Sequence, residues 1–247
     1  MSSFDGIANK FDKNIYGTSK GKIRHALLLH YLDGILNGSS KSVLDLGGGT
    51  GMMSYEFAQK GHQVTLVDVS ADVLDIAKQR LADFPSTNIQ QQPIEEYDQP
   101  SDIILCHAVL EWLDNPYDAI SHMVNLLPSG GFLSLSFFNY HAMLFNNILY
   151  RNFDYIKKGM KVKNQVRLNP KQPLKPEIVM EFIKGLKNIK IVKTAGIRCF
   201  HDYIFDKGAK ETDFEEILAL EKQYGESMPY QYLGKYFYCL LQKEAVG

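Results

Sequence analysis

The segment Val43-Leu-Asp-Leu-Gly-Gly-Gly-Thr-Gly51 constrains this chain more than any other. A short run of buried-strand type, 42–46, enters a glycine loop (Gly47, Gly48, Gly49, Gly51), and a helix-forming stretch, 52–60, leaves it. Glycines there permit positive φ and let a ligand come close to the main chain. The next apolar run, 63–68, ends in Asp68. That is about 20 residues past the loop, where an acid can clasp the two hydroxyls of a ribose. A strand–loop–helix–strand–acid series of this kind specifies an α/β fold with a nucleoside-type ligand across its first crossover.

The alternation continues along the chain. Apolar residues at helical spacing mark 23–36, which Gly38-Ser-Ser ends, and 70–82 follows as a helix opened by Ser70 and Asp72. A third strand precedes the turn Pro93-Ile94-Glu95-Glu96, and a helix-sized interval leads to a strand at 103–106. A helix at 117–127 and a strand at 132–138, opened by Gly130-Gly131, come next. The regularity stops over 139–176, an aromatic, basic, turn-rich stretch too long for an ordinary link and read as an inserted substrate-binding lid. A helix at 177–186, a strand at 189–197, a helix at 214–224 and a last strand at 232–242 complete the chain. The expectation is one domain over 1–247 with a helical arm at 1–36. Its sheet is mostly parallel and doubly wound, with an antiparallel C-terminal strand.

Composition narrows the function classes. Apolar residues make up 45% and charged residues 22%, which suits one well-buried core. A net charge of −1 offers no bulk attraction to a polyanion, so any nucleic-acid surface must come from local clustering. Cys106, Cys199 and Cys239 lie far apart without metal-ligand spacing. Together with an N-terminus that lacks an apolar leader, they point to reduced thiols, a cytoplasmic location and no metal. No apolar run reaches the roughly 20 residues of a membrane span.

The glycine spacing identifies the ligand class. A dinucleotide site needs G-x-G-x-x-G, which here would put Met52 or Ser54 in the last glycine place. Asp45 inside the loop would oppose a pyrophosphate but suits a ligand carrying an ammonium and a sulfonium. That ligand is S-adenosylmethionine (SAM), and the fold expected is a Rossmann-like class I methyltransferase. Candidate cofactor residues are Asp45, Gly47, Gly48, Gly49 and Asp68. Ile94 and Glu95 are added at the turn that edges an adenine in such folds. His107 follows, at the carboxyl end of the strand 103–106.

Beyond these, Phe11-x-x-Asn14-Ile-Tyr-Gly17-x-x-Lys20-Gly21-x-x-Arg24, His107-Ala-Val-Leu-Glu-Trp112, Asn152-Phe-Asp-Tyr155, Gly196-x-Arg198-x-Phe-His-Asp-Tyr203 and Leu233-Gly-x-Tyr236 occur along the chain. These strings resemble a bacterial tRNA methyltransferase family that converts 5-carboxymethoxyuridine at the wobble position to its methyl ester. The resemblance covers essentially the whole chain and implies that Arg24 contacts the SAM carboxylate, beside the glycine loop, Asp68, Ile94, Glu95 and His107. Independent chemistry agrees for Arg24, because a guanidinium grips a carboxylate at two points.

Charge is unevenly spread. Seven Lys/Arg lie between Lys157 and Lys175, and five between Lys184 and Arg198, with no acid in either run. Such a face, with Lys161, Lys163 and Arg167 at its heart, is the footprint of a tRNA anticodon region. Tyr150, Phe153, Tyr155 and Tyr203 offer rings on which bases can stack. A carboxylate substrate is ionised at neutral pH, so methyl transfer to it needs no general base and no catalytic residue is assigned. Tyr16, Arg198, His201 and Tyr203 are the candidates to hold it. Two rival readings are a SAM-dependent enzyme acting on a small molecule and a SAM fold kept only as a binding module.

Overall fold

The computed structural model describes residues 17–160 and 172–245. Seven strands form one sheet in the order β3-β2-β1-β4-β5-β7-β6. They are β1 (Ser42–Leu46), β2 (Gln63–Asp68), β3 (Asn88–Gln91), β4 (Ile103–His107), β5 (Phe132–Phe138), β6 (Ile189–Ile197) and β7 (Tyr236–Lys243). β1 to β5 pair in parallel, while β7 runs antiparallel to both β5 and β6. The mostly parallel sheet with an antiparallel C-terminal strand is therefore as expected. β1, β2 and β5 begin and end where their apolar runs do.

The helices are α1 (Ser19–Leu36), α2 (Met52–Gln59), α3 (Ala71–Arg80), α4 (Pro116–Leu126), α5 (Tyr140–Leu149), α6 (Phe153–Lys157), α7 (Pro176–Lys184), α8 (Ala209–Thr212) and α9 (Phe214–Tyr224). Strand residues alternate between two cores, as the pleat requires. Leu44, Ile104, Leu133, Leu135 and Phe137 pack with Ile120 and Met123 of α4 and Val179 and Ile183 of α7. Val43, Leu66, Ile103, Leu105 and Tyr238 pack with Ile23, Leu27 and Tyr31 of α1, Phe57 of α2 and Ile217 of α9. Each fully buried Leu or Ile contributes roughly 1.5–3 kcal/mol, so these two layers set the helix positions and leave the carboxyl ends of β1, β2, β4 and β5 for loops.

Two elements differ from expectation. The interval before β4 contains no α-helix, only β3 and a 3-10 turn, Ile94–Glu96. β3, the third strand expected before the Pro93–Glu96 turn, is an edge strand of sequence Asn-Ile-Gln-Gln with no buried residue. The described part of 139–176 is helical rather than turn-rich. α5 starts on an Asn139 cap whose side chain accepts from the His141 amide, and its Asn and aromatic residues mask a helical stretch. No helix among the described residues is long and apolar enough to cross a membrane.

Candidate active site

The glycine loop lies between the end of β1 and the start of α2. Gly47 and Gly49 have φ of 67° and 56°. A side chain at Gly48 would come within 2.8 Å of the Asp45 carboxyl and 2.9 Å of Leu66, whereas nothing lies within 4 Å of a side chain built at Gly49. The loop is thus closed toward the core and open on the side where a ligand could approach. Asp68 at the end of β2 faces it. Its two carboxylate oxygens accept from the amides of Gly49 at 3.0 Å and Ser70 at 2.9 Å, which fixes the group's orientation. Val69, the next residue, is a large apolar side chain left 48% exposed at the same rim. Ile94 is buried in the core beneath it, and Glu95 is exposed.

Asp45 is buried, and Ser54 Oγ donates to it at 2.8 Å. Burial pushes its carboxyl up to about 6, with the hydroxyl of Ser54 opposing and neighbouring Asp68 adding to the rise. Arg24, projecting from α1, counters both: its Nη2 donates to the His107 carbonyl at 3.5 Å, and its guanidinium lies 5.2 Å from the Tyr236 ring centroid. His107 is buried, with Nε2 2.8 Å from Ser134 Oγ, which in turn donates to Tyr238 Oη at 3.2 Å. Its Nδ1 is buried with no hydrogen-bond partner among the described residues. Desolvation, reinforced by Arg24 and His25, drives this imidazole down to about 3, so it stays neutral. The chain then turns through Ala108 at φ 60°, a left-handed conformation that costs a non-glycine about 1–2 kcal/mol.

One buried acid here was not anticipated. Glu111 is 1% exposed, and burial raises its carboxyl to about 7 against bonds from its own amide and that of Phe138. One of its oxygens has no partner among the described residues. The sequence shows Glu111 only as one member of a string, with nothing to mark it as buried.

The residues expected to grip a substrate carboxylate are built into a frame beside this site. Arg198 binds Asp202 through Nε at 2.8 Å and Nη2 at 2.5 Å. His201 is fully buried, with Nδ1 3.1 Å from Asp202 and Nε2 3.1 Å from Ser19 Oγ. The Tyr203 hydroxyl donates to the Leu233 carbonyl at 2.6 Å. Holding them all is Glu221, 0% exposed, whose carboxylate accepts from the amides of Cys199, Phe200 and His201. In this conformation the polar atoms of His201 and the fork of Arg198 are engaged inside the protein, the structural hydrogen-bond network that is the alternative to a substrate contact. Glu221 was missed because it sits on α9, whose apolar spacing made its acids look like a solvated face. Tyr16, Lys161, Lys163 and Arg167 lie outside the described residues.

The arrangement gathers two carboxylates, a glycine arc, a guanidinium and a buried neutral imidazole at the carboxyl ends of β1, β2 and β4. It can take a nucleoside through its diol while facing an amino acid's ammonium and carboxylate with groups of opposite charge. No group of three His, Cys, Asp or Glu able to hold a metal occurs among the described residues.

Known methyltransferases resemble this chain in sequence and in fold. A methyltransferase-domain family matches residues 21–167. The tRNA 5-carboxymethoxyuridine methyltransferase of Escherichia coli strain K12 is 39% identical over 251 aligned positions, 98% of this chain and 96% of that protein. A ubiquinone biosynthesis O-methyltransferase of Glaesserella parasuis is 36% identical but over 50% of this chain and 56% of its own length. Among solved structures, the magnesium protoporphyrin IX methyltransferase of Synechocystis PCC 6803 with bound SAH superposes with a TM-score of 0.65 at 16% identity, covering 98% of this chain and 96% of that one.

Proposed function

Since the chain belongs to the tRNA 5-carboxymethoxyuridine methyltransferase family, we propose that it converts the carboxylate of 5-carboxymethoxyuridine at the tRNA wobble position into the methyl ester, in the cytoplasm. The observation that carries the reading is the pairing of Asp68, locked by the Gly49 and Ser70 amides, with Arg24 beside buried Asp45. When bound, SAM supplies a methyl group whose transfer turns a carboxylate and a sulfonium into a neutral ester and a neutral thioether.

Asp68 holds the ribose diol, and Gly47, Gly48 and Gly49 admit the ligand to the backbone. Asp45 supplies negative charge beneath its cationic end. Arg24 takes its carboxylate, and His107 borders its amino-acid end. Ile94, Glu95 and Val69 border the base. The substrate acid is already ionised, so the protein's task is alignment and partial exclusion of water. That is consistent with a neutral His107 and with thiols that burial keeps protonated. Arg198, His201 and Tyr203 act as the frame of the substrate side. Lys161, Lys163 and Arg167, with Tyr150, Phe153 and Tyr155, receive the anticodon arm.

Nucleoside mass spectrometry of tRNA from a deletion strain tests this. The account expects the wobble methyl ester to disappear and the free acid to accumulate, with restoration by the wild-type gene. An unchanged ester level with altered quinones or other small acids would favour a small-molecule substrate instead.

A further inference from the structure

On the substrate side, charge pairing is uneven. The Arg198 fork is already satisfied by Asp202, and that pair is largely shielded, with side-chain exposures of 10% and 13%. Lys235 is different. It lies half-buried at the start of β7, its Nζ 4.4 Å from the centroid of the Phe138 ring, and it makes no ion pair among the described residues. Arg24 covers the neighbouring ring, Tyr236. Phe138 and Tyr236 are directly opposed across β5 and β7, with ring centroids 6.3 Å apart. With Arg198 also 5.8 Å from the Tyr236 ring centroid, three cations sit over adjoining rings of one cross-strand pair, at the carboxyl end of β5, and of these Lys235 alone covers Phe138.

The backbone at Lys235 is fixed from both sides. Its amide donates to the Arg198 carbonyl at 3.3 Å, and its carbonyl accepts from the Asn139 amide at 3.1 Å. Asn139 is itself 0% exposed and donates to the Tyr232 and Gly234 carbonyls. Preceding Gly234 approaches Gly196 so closely that a side chain there would meet its Cα at 2.6 Å. This contact brings the Arg198 turn and Lys235 together.

Resting on the methyltransferase reading above, we propose that Lys235 is the specificity-determining residue that holds the substrate's carboxylate through one oxygen, so that the site takes the acid and releases the ester. The chemistry favours a lysine for this task. A guanidinium grips both oxygens, whereas an ammonium is a point charge that can hold one and leave the other to face the methyl group. A two-point ion pair would also stabilise the ground state more than the transition state. After transfer the ester is neutral and the attraction that bound the acid is gone.

The electrostatic surroundings agree. Desolvation lowers the Lys235 ammonium to about 8, helped by Arg198 and Lys20 and opposed by Asp202. The group is charged at neutral pH and is stabilised by an incoming anion.

The test measures equilibrium binding of the full chain to tRNA carrying either 5-carboxymethoxyuridine or its methyl ester at the wobble position, with Kd for SAM determined alongside. The wild type is expected to prefer the acid form by about tenfold or more, the size of one charge-assisted hydrogen bond. Lys235→Met should bring the two forms within about threefold while SAM affinity is retained, which shows that the variant is folded. Lys235→Arg should keep most of the preference. The fall in wild-type kcat/KM above about pH 8 should move to higher pH in the arginine variant, whose charge does not titrate there. An undiminished acid preference in Lys235→Met overturns the assignment. A wild type that transfers no methyl group to either tRNA overturns the underlying reading instead. A Lys235→Met variant that loses SAM binding with the preference intact in Lys235→Gln also counts against the proposal.

Discussion

Asp68 and Asp45 are proposed to divide the work of one ligand. Asp68 is oriented by two amides, so Asp68→Ala removes two hydrogen bonds to a charged acceptor as well as the proposed ribose contact. SAM affinity measured by calorimetry should fall by about 100-fold or more, while tRNA retention on a filter persists. Asp45 is a titrating group. Its folded value, about 6, lies above the ordinary aspartate value of 3.8. In the free protein the native state therefore holds this proton more tightly than the unfolded chain does. The group subtracts stability as pH rises from about 4 to about 6, and the loss is complete above that window. A cationic ligand prefers the ionised form, so SAM affinity should rise as pH climbs from 5 to 7 and level off beyond. Asp45→Asn should flatten that profile, and a profile unchanged by the substitution would count against Asp45 as the cation's partner. His107 runs the other way: its folded value is depressed, so its contribution is present above pH 6.5 and is lost as pH falls toward 3. Asp45, the glycines and Asp68 were legible in the sequence because their spacing encodes the backbone they need. Glu111, Glu221 and Lys235 were not, because burial of a single charged residue leaves no periodic trace.

At the scale of elements, the junction of β5, α5 and β7 positions the substrate side. Asn139 caps α5 through the His141 amide and ties it to the segment leading into β7 with two further bonds. Asn139→Ala leaves those buried carbonyls unsatisfied and should destabilise the protein by about 1–3 kcal/mol, seen as a lower Tm. The Asn139 main-chain bond to Lys235 survives the substitution, but the lost side-chain ties to Tyr232 and Gly234 loosen the segment that carries Lys235, so KM for tRNA should rise. A Tm shift with unchanged KM would separate the cap from the site. The buried central strands were easy to read: β1, β2 and β5 are nearly continuous apolar runs, as strands covered on both faces must be. β3 was legible only through the turn that follows it, because an edge strand facing solvent needs no such run. α5 and α6 escaped because their exposed faces carry Phe145, Ile148, Tyr150 and Phe153, so no polar side marks the helical period.

For the whole molecule, an overall charge of −1 conceals a segregated distribution, with twelve Lys/Arg in two acid-free runs. If those runs receive a phosphate backbone, tRNA affinity must fall steeply with salt. Neutralising Lys161, Lys163 and Arg167 together should weaken tRNA binding and reduce the slope of log K against log salt by roughly 2, at about 0.7 per charge on a single strand. SAM affinity should not change. Equal losses of both ligands would mean that the basic run supports the fold rather than a separate surface.

The most direct measurement supplies the purified protein with methyl-labelled SAM and tRNA bearing 5-carboxymethoxyuridine, then digests the tRNA and analyses its nucleosides. The label should appear at the wobble uridine as an ester that mild alkali removes, and it should be absent with Asp68→Ala. Label that remains on SAM in the presence of this tRNA, or that enters the nucleoside in an alkali-stable form, would contradict the account.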